Sequence, residues 1–230
     1  MFRYLMLTLW IFLTALGAKA ENQPDLIYYG WDSPDISQLL DIIPKLADSP
    51  FDGLGVFAQD HRNVFQTTPY PQVEYQNDLL RLSVIKRGAL GRSFLVINTT
   101  TNDQFDWTNE AHWQATLANT KMIARMAKAG GFSGILFDME PYGVNLWNTA
   151  PLAKKHPMAF AEMQILLERR GQSMMQAIET EFPNPQMFFL WGLSGEVDWV
   201  NSLSKLVSAE QSLSRAPTGL WPAPLPQAAL

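Results

Sequence analysis

Asp138 and Glu140 are the residues of this chain best placed to do chemistry. They close the run Phe132-Ser133-Gly134-Ile135-Leu136-Phe137-Asp138-Met139-Glu140-Pro141-Tyr142-Gly143. That run reads as a buried strand ending in two carboxylates at i, i+2 and stopped at once by Pro and Gly. Side chains alternate faces along a strand, so the two acids point the same way with Cα atoms roughly 6.6 Å apart. Ile135, Phe137 and Met139 then point the other way. Acids at the end of a buried strand are expensive to desolvate and tend to belong to a site. Such a pair can divide the work of acid–base catalysis. The outer Glu140 would donate a proton to a leaving oxygen, and Asp138 beneath it would hold a proton or orient the reacting group. Like-charge repulsion favours keeping one proton within the pair, as a general acid requires. The plain structural alternative is that Asp138 caps backbone donors and Glu140 is solvated at the rim.

Other polar residues fall at the carboxyl ends of other candidate strands: Asp32, Gln59 and Asp60, Asn98, and Glu196. Asp32 either faces the site or serves the helix start that follows it. Asn98 either binds a substrate hydroxyl or makes a turn. Tyr142 and Trp191 either line a subsite or pack the top of the sheet. Asp60-His61 sits in a long loop and reads as surface. The three histidines are scattered without metal-ligand spacing, so no zinc site is expected. No G-x-G-x-x-G or P-loop opens a helix, and no cofactor is implied.

These side chains must be positioned by strands alternating with helices. Strands are expected at 25–31, 51–58, 93–98, 132–140 and 186–193. Ser33 as N-cap, Pro34 at the first helical position and Asp35 in the first turn signal a helix after the first strand. Its apolar face is Ile36, Leu39, Leu40, Ile43 and Leu46, with Pro44 as a kink or early end. An irregular segment spans 59–76, followed by a helix over 77–86. A clear helix covers 110–128, with Trp113, Leu117, Thr120, Ile123, Ala124 and Ala127 as its buried stripe and Gly130-Gly131 as its stop. The last helix, 158–182, carries Met158, Ala161, Ile165, Leu166, Met174, Met175 and Ile178 inward. Arg169-Arg170 beside Glu168 reads as a solvated face.

This rhythm implies an α/β fold with a parallel sheet and right-handed crossovers. A doubly wound sheet and a (β/α)8 TIM barrel share the pattern. The polar residues at nearly every strand's carboxyl end favour the barrel, whose active sites gather there. The barrel is incomplete, with about five to six β/α units where a full one takes about 250 residues. The segment 216–230 is Pro-rich and irregular, and the chain reads as truncated at its C-terminus or translated out of frame near residue 223. The alternative is a native tail on a smaller α/β fold.

Residues 1–20 read as a secretory signal peptide: Arg3, an uncharged apolar stretch over 4–17, and Ala18-Lys19-Ala20 before Glu21. The apolar stretch is too short for a comfortable membrane span, so no stable insertion is expected after cleavage behind Ala20. The mature chain of about 210 residues, 21–215 forming the partial barrel, is enough for one domain with a real core. The absence of cysteine fits a bacterial periplasm or outer milieu better than a stapled extracellular module. A net charge of −5 without a basic cluster argues against nucleic acid. Eight Trp and six Tyr offer flat rings that stack on sugars, although most aromatics are simply core.

The stretch Gly134-Ile135-x-Phe137-Asp138-Met139-Glu140-x-Tyr142 resembles the fourth-strand signature of chitinase-type glycoside hydrolases. That resemblance implies Glu140 as proton donor and Asp138 as its assistant. The signature carries a further Asp where this chain has Leu136, and the third strand lacks that family's Ser-x-Gly-Gly. Chitinase activity as such, and substrate-assisted catalysis on an N-acetyl sugar, are therefore not implied. More of the chain, over 25–193, is similar to uncharacterised secreted bacterial proteins with glycoside-hydrolase-like TIM barrels. The shared features are Tyr-Tyr-Gly-Trp-Asp-Ser-Pro (28–34), Phe-Asp-Gly (51–53), Ile-Asn-Thr-Thr…Asp-Trp (97–107) and the helix leading into 134–140. The expectation is an exported protein acting on an oligo- or polysaccharide, with Glu140 and Asp138 catalytic and Asp32, Asn98, Tyr142 and Trp191 binding substrate. One alternative is a non-catalytic carbohydrate-binding barrel or inactive fragment. Another is a metal-assisted ester hydrolase using Asp32, Asp138 and Glu140 as oxygen ligands.

Overall fold

A computed structural model describes residues 24–46, 48–58, 63–86, 88–101, 104–140, 142, 144–147 and 160–190. The expected signal peptide, Gln59, Asp60-His61, Met158, Trp191, Glu196 and the Pro-rich tail lie outside the described residues. Among the described residues no helix is long and apolar enough to cross a membrane.

Five parallel strands form the sheet: β1 (Ile27–Tyr28), β2 (Gly53–Val56), β3 (Phe94–Asn98), β4 (Gly134–Asp138) and β5 (Gln186–Leu190). They lie side by side in sequence order, and that order never reverses as it would in a doubly wound sheet. Helical segments cross between them: α1 (Leu39–Ile42, flanked by 3-10 turns), α2 (Gln72–Val84), α3 (Glu110–Gly130) and α4 (Phe160–Glu181).

Strand alternation sorts the sheet's two faces into two apolar clusters. Leu54, Val56, Leu95, Ile97, Ile135, Phe137, Met139 and Met187 pack with Ile36, Tyr75, Leu82, Trp113, Ile123, Met174 and Ile178 from the helices. The opposite cluster holds Phe57, Phe94, Val96 and Leu136, backed by Ile27, Tyr29, Phe188 and Leu190, and contains no helix residue. One face is thus covered by helices while the strands' side chains meet one another on the other. The result is a curled, all-parallel half-barrel whose concave face is lined by strand residues.

Local chemistry accounts for where the elements end. β4 is shorter than the expected 132–140 because Asp138 Oδ1 accepts the Glu140 N–H at 3.0 Å, so that donor leaves the ladder. Asn98 does the same on β3, accepting the Thr100 N–H at 3.0 Å, and the two residues are register partners. After β1, Asp35 rather than Ser33 caps the helical segment, in a capping box with Gln38. Ser33 instead accepts the Gly30 N–H within the preceding turn. The segment tightens to 3-10 geometry at Ile43, next to Pro44. α2 begins at Gln72, inside the stretch expected to be irregular.

Asn109 caps α3 by accepting from Ala111 and His112, and Gly131, at φ 74°, closes it in the left-handed conformation that favours glycine. On α4 the buried residues are Met163, Arg170, Met174, Ala177 and Ile178, whereas Ala161 and Ile165 are exposed. Arg170 corrects the expectation of a solvated Arg pair. Its guanidinium lies 5.1 Å from the Trp113 ring and donates to Glu110 at 2.7 Å, so charge and stacking both draw it under the helix pair.

Candidate active site

The concave face rises in layers fixed by parallel register. Val96, Leu136 and Phe188 are register neighbours, and above them lie Asn98, Asp138 and Leu190. Leu136 is fully buried in the apolar layer directly beneath Asp138. An acid at that position would be desolvated against Val96 and Phe57, which is why an apolar side chain is at home there.

Asp138 is only 2% exposed, yet both its oxygens are satisfied. Oδ1 accepts the Glu140 N–H, and Oδ2 accepts the Tyr29 hydroxyl at 2.6 Å. Tyr29 follows β1 directly and reaches across to β4. On a flat sheet those strands would stand three steps, roughly 14 Å, apart, so the bond depends on the curl. It also depends on Gly55, since a Cβ there would collide with Tyr29 Cδ2.

Glu140 lies further out, half-buried, on the same side of the chain as Asp138, because Met139 between them enters the helix-side core. Its Oε2 accepts the Tyr142 hydroxyl at 2.7 Å. Its backbone is held at both ends, the N–H by Asp138 and the carbonyl by Thr99 Oγ1 at 3.0 Å and the Tyr142 N–H at 3.1 Å. Burial, then the bond to Asp138 and its charge, push the Tyr29 hydroxyl far above the ordinary tyrosine range, with smaller pushes from Tyr142 and Glu140. Burial, then the bond to Glu140, act on Tyr142 in the same direction. Both phenols therefore stay protonated donors, and the cluster consists of two donors facing two carboxyl acceptors.

The segment after Glu140 is anchored from the helix side. Trp147 Nε1 donates to the Met139 carbonyl at 2.7 Å, and Trp107 Nε1 donates to the Leu146 carbonyl at 3.0 Å. Trp107, Trp113, Trp147 and Phe65 pack ring against ring beneath it. Buried Trp usually spends its N–H on such a partner, and here Trp147 spends it on the residue preceding Glu140 and Trp107 on Leu146.

Of the residues expected from sequence, Asp138, Glu140, Tyr142 and Asn98 come together at the carboxyl ends of β3 and β4. Asn98 uses its Oδ1 in the turn to Thr100. Asp32 does not join them. Its carboxylate accepts the hydroxyl of Tyr28, whose ring packs with the helix-side core and edge-on against Phe51. Among the described residues no three His, Cys, Asp or Glu side chains are gathered as metal ligands. Trp191 lies outside the described residues.

Two aromatic residues were missed. Tyr29 alternates with Ile27, and both join the concave-face cluster; Trp31 lies in the turn that follows β1. The signal for Tyr29 is plain in Ile27-Tyr28-Tyr29 once faces are assigned, whereas Trp31 sits beyond the strand and no alternation points to it. Trp31 stands at the rim with its ring edge-on to Tyr142, centroids 5.2 Å apart. Compared with known protein families, curated proteins and solved structures, the chain matches none.

Proposed function

We propose that this chain is an exported glycoside-hydrolase-like protein of TIM-barrel type, acting on an oligo- or polysaccharide by carboxylate acid/base catalysis. The observation that carries this reading is the cluster Tyr29–Asp138–Glu140–Tyr142 on the concave face, at the carboxyl ends of parallel strands. Barrel enzymes assemble their chemistry at that end. Export is supported by the signal-peptide pattern of residues 1–20.

Glu140 is the acid. Tyr142 holds Oε2 and so turns the other carboxyl oxygen toward a glycosidic oxygen that takes its proton as the bond breaks; water then bonds to the freed anomeric carbon and gives a proton back to the Glu140 carboxylate. Asp138, fixed by Tyr29 and by the Glu140 N–H, lies beneath Glu140 and orients it toward the reacting bond. Thr99 and Trp147 keep the Glu140 backbone from drifting, which suits a group that must already be in place when the bond breaks.

The test is release of new reducing ends from a panel of soluble polysaccharides by wild type and by Glu140→Gln. Wild type should release them, and the variant should bind the same glycan without cutting it. Equal turnover by both removes Glu140 from the chemistry. Binding without turnover by wild type would make the half-barrel a carbohydrate-binding protein, for which the apolar Leu136 beneath Asp138 is the favouring observation.

A further inference from the structure

Trp31 is 87% exposed, more than any other large apolar side chain among the described residues. Tryptophan is on average one of the more buried residue types, and a ring left in water at the mouth of a site is unusual. It stands beside the carboxylates, because Trp31 meets Tyr142 at 5.2 Å and 72°, and the Tyr142 hydroxyl bonds Glu140. The contact sets the two aromatic rings edge-on to each other beside the proposed acid. Tyr142 has its hydroxyl committed to Glu140, whereas Trp31 offers its ring to solvent.

We infer that Trp31 and Tyr142 form a sugar-stacking subsite next to the one in which Glu140 acts, so that the site engages a chain of pyranose units rather than a single terminal sugar. This rests on the carbohydrate reading above and gives it a substrate class. A pyranose presents an apolar face of C–H groups between its equatorial hydroxyls, which matches an indole face without any charge. The Trp31 ring is exposed rather than packed away, so it is accessible to a sugar unit beyond the one at Glu140. Tyr142 joins the two subsites: the side chain that orients Glu140 also buttresses the platform. A sugar seated on Trp31 therefore presses on the residue that aims the acid, which links binding at the rim to alignment at the bond.

The experiment uses the full mature chain carrying Glu140→Gln, which keeps ligands intact, with and without Trp31→Ala. Isothermal titration is run with cello-, xylo-, manno- and chito-oligosaccharides of increasing length and with the matching monosaccharides. Because Trp31 is exposed, its removal leaves the fold intact, which a circular dichroism melt checks. The expected result is about tenfold weaker binding of the longer oligosaccharides and no change for monosaccharides, with Trp31→Tyr recovering most of the loss. Equal affinity of both proteins at every chain length overturns the subsite and leaves the carbohydrate reading standing. If neither protein binds any saccharide, the carbohydrate reading fails, and the subsite fails with it.

Discussion

Tyr29→Phe isolates the bond that spans the concave face. The substitution keeps the ring against Phe57, 5.9 Å away, and over Gly55, and removes only the hydroxyl. What is lost is a donor to a carboxyl group that is 2% exposed. Hydrogen bonds to charged groups contribute about 1.5–3 kcal/mol, so a loss of about 2 kcal/mol is expected. For a domain of this size that is a fall in Tm of about 4–8 °C. The assay is urea denaturation followed by tryptophan fluorescence, on Tyr29→Phe, Asp138→Asn and the double variant. The two single losses should not add, with a coupling of at least about 1 kcal/mol. Tyr28→Phe is the matched control: its hydroxyl bonds the exposed Asp32, and no measurable change is expected. A Tyr29→Phe protein within about 0.5 kcal/mol of wild type, or additive losses, would refute the claim that this bond holds Asp138 in place.

Three further outcomes follow from the same geometry. Leu136→Asp puts a charge into a sealed apolar layer; it should cost about 3–5 kcal/mol in urea denaturation and give no new activity. Gly55→Ala should displace the Tyr29 ring and reproduce the Tyr29→Phe loss, so combining the two should add little, as thermal melts will show. Arg125 holds the Glu181 carboxyl below its ordinary range, and a carboxyl lowered on folding gives stability above its unfolded pKa of about 4.3 and loses it as pH falls through the folded value. Glu181→Gln should therefore cost about 0.5 kcal/mol at neutral pH, the pair being partly exposed, and the difference from wild type should shrink in melts as pH falls below about 4.3 and vanish below the folded value.

The alternating α/β order, the parallel sheet and the α3 helix were legible because each rests on local periodicity and caps: Asn109 and Gly131 punctuate α3 where the apolar stripe stops. Face alternation around Met139 also placed Asp138 and Glu140 on one side correctly. What could not be read was anything set by curvature. The Tyr29–Asp138 bond joins residues 109 positions apart through a bend that no local pattern encodes, although Gly55 is its trace in the sequence. Arg170 was misread for a similar reason, since charge beside charge suggests solvent until the neighbouring helix supplies Trp113 and Glu110. Asp32 sits at a strand end as barrel site residues do, but it is exposed and its carboxylate accepts the Tyr28 hydroxyl. Helix starts at Asp35 and Gln72 went astray because Ser33 found a better partner in Gly30, and because α2 begins behind Pro71 without a side-chain cap.

The central claim is that Glu140 delivers a proton to a leaving sugar oxygen, and leaving-group dependence tests it most directly. Turnover of Glu140→Gln is compared with wild type on paired substrates of one glycan, one with a sugar leaving group and one with a dinitrophenyl group that departs without protonation. The account predicts a loss of about 10²–10⁴-fold on the sugar leaving group and a far smaller loss on the dinitrophenyl glycoside. An equal loss on both, or no loss on either, would contradict it.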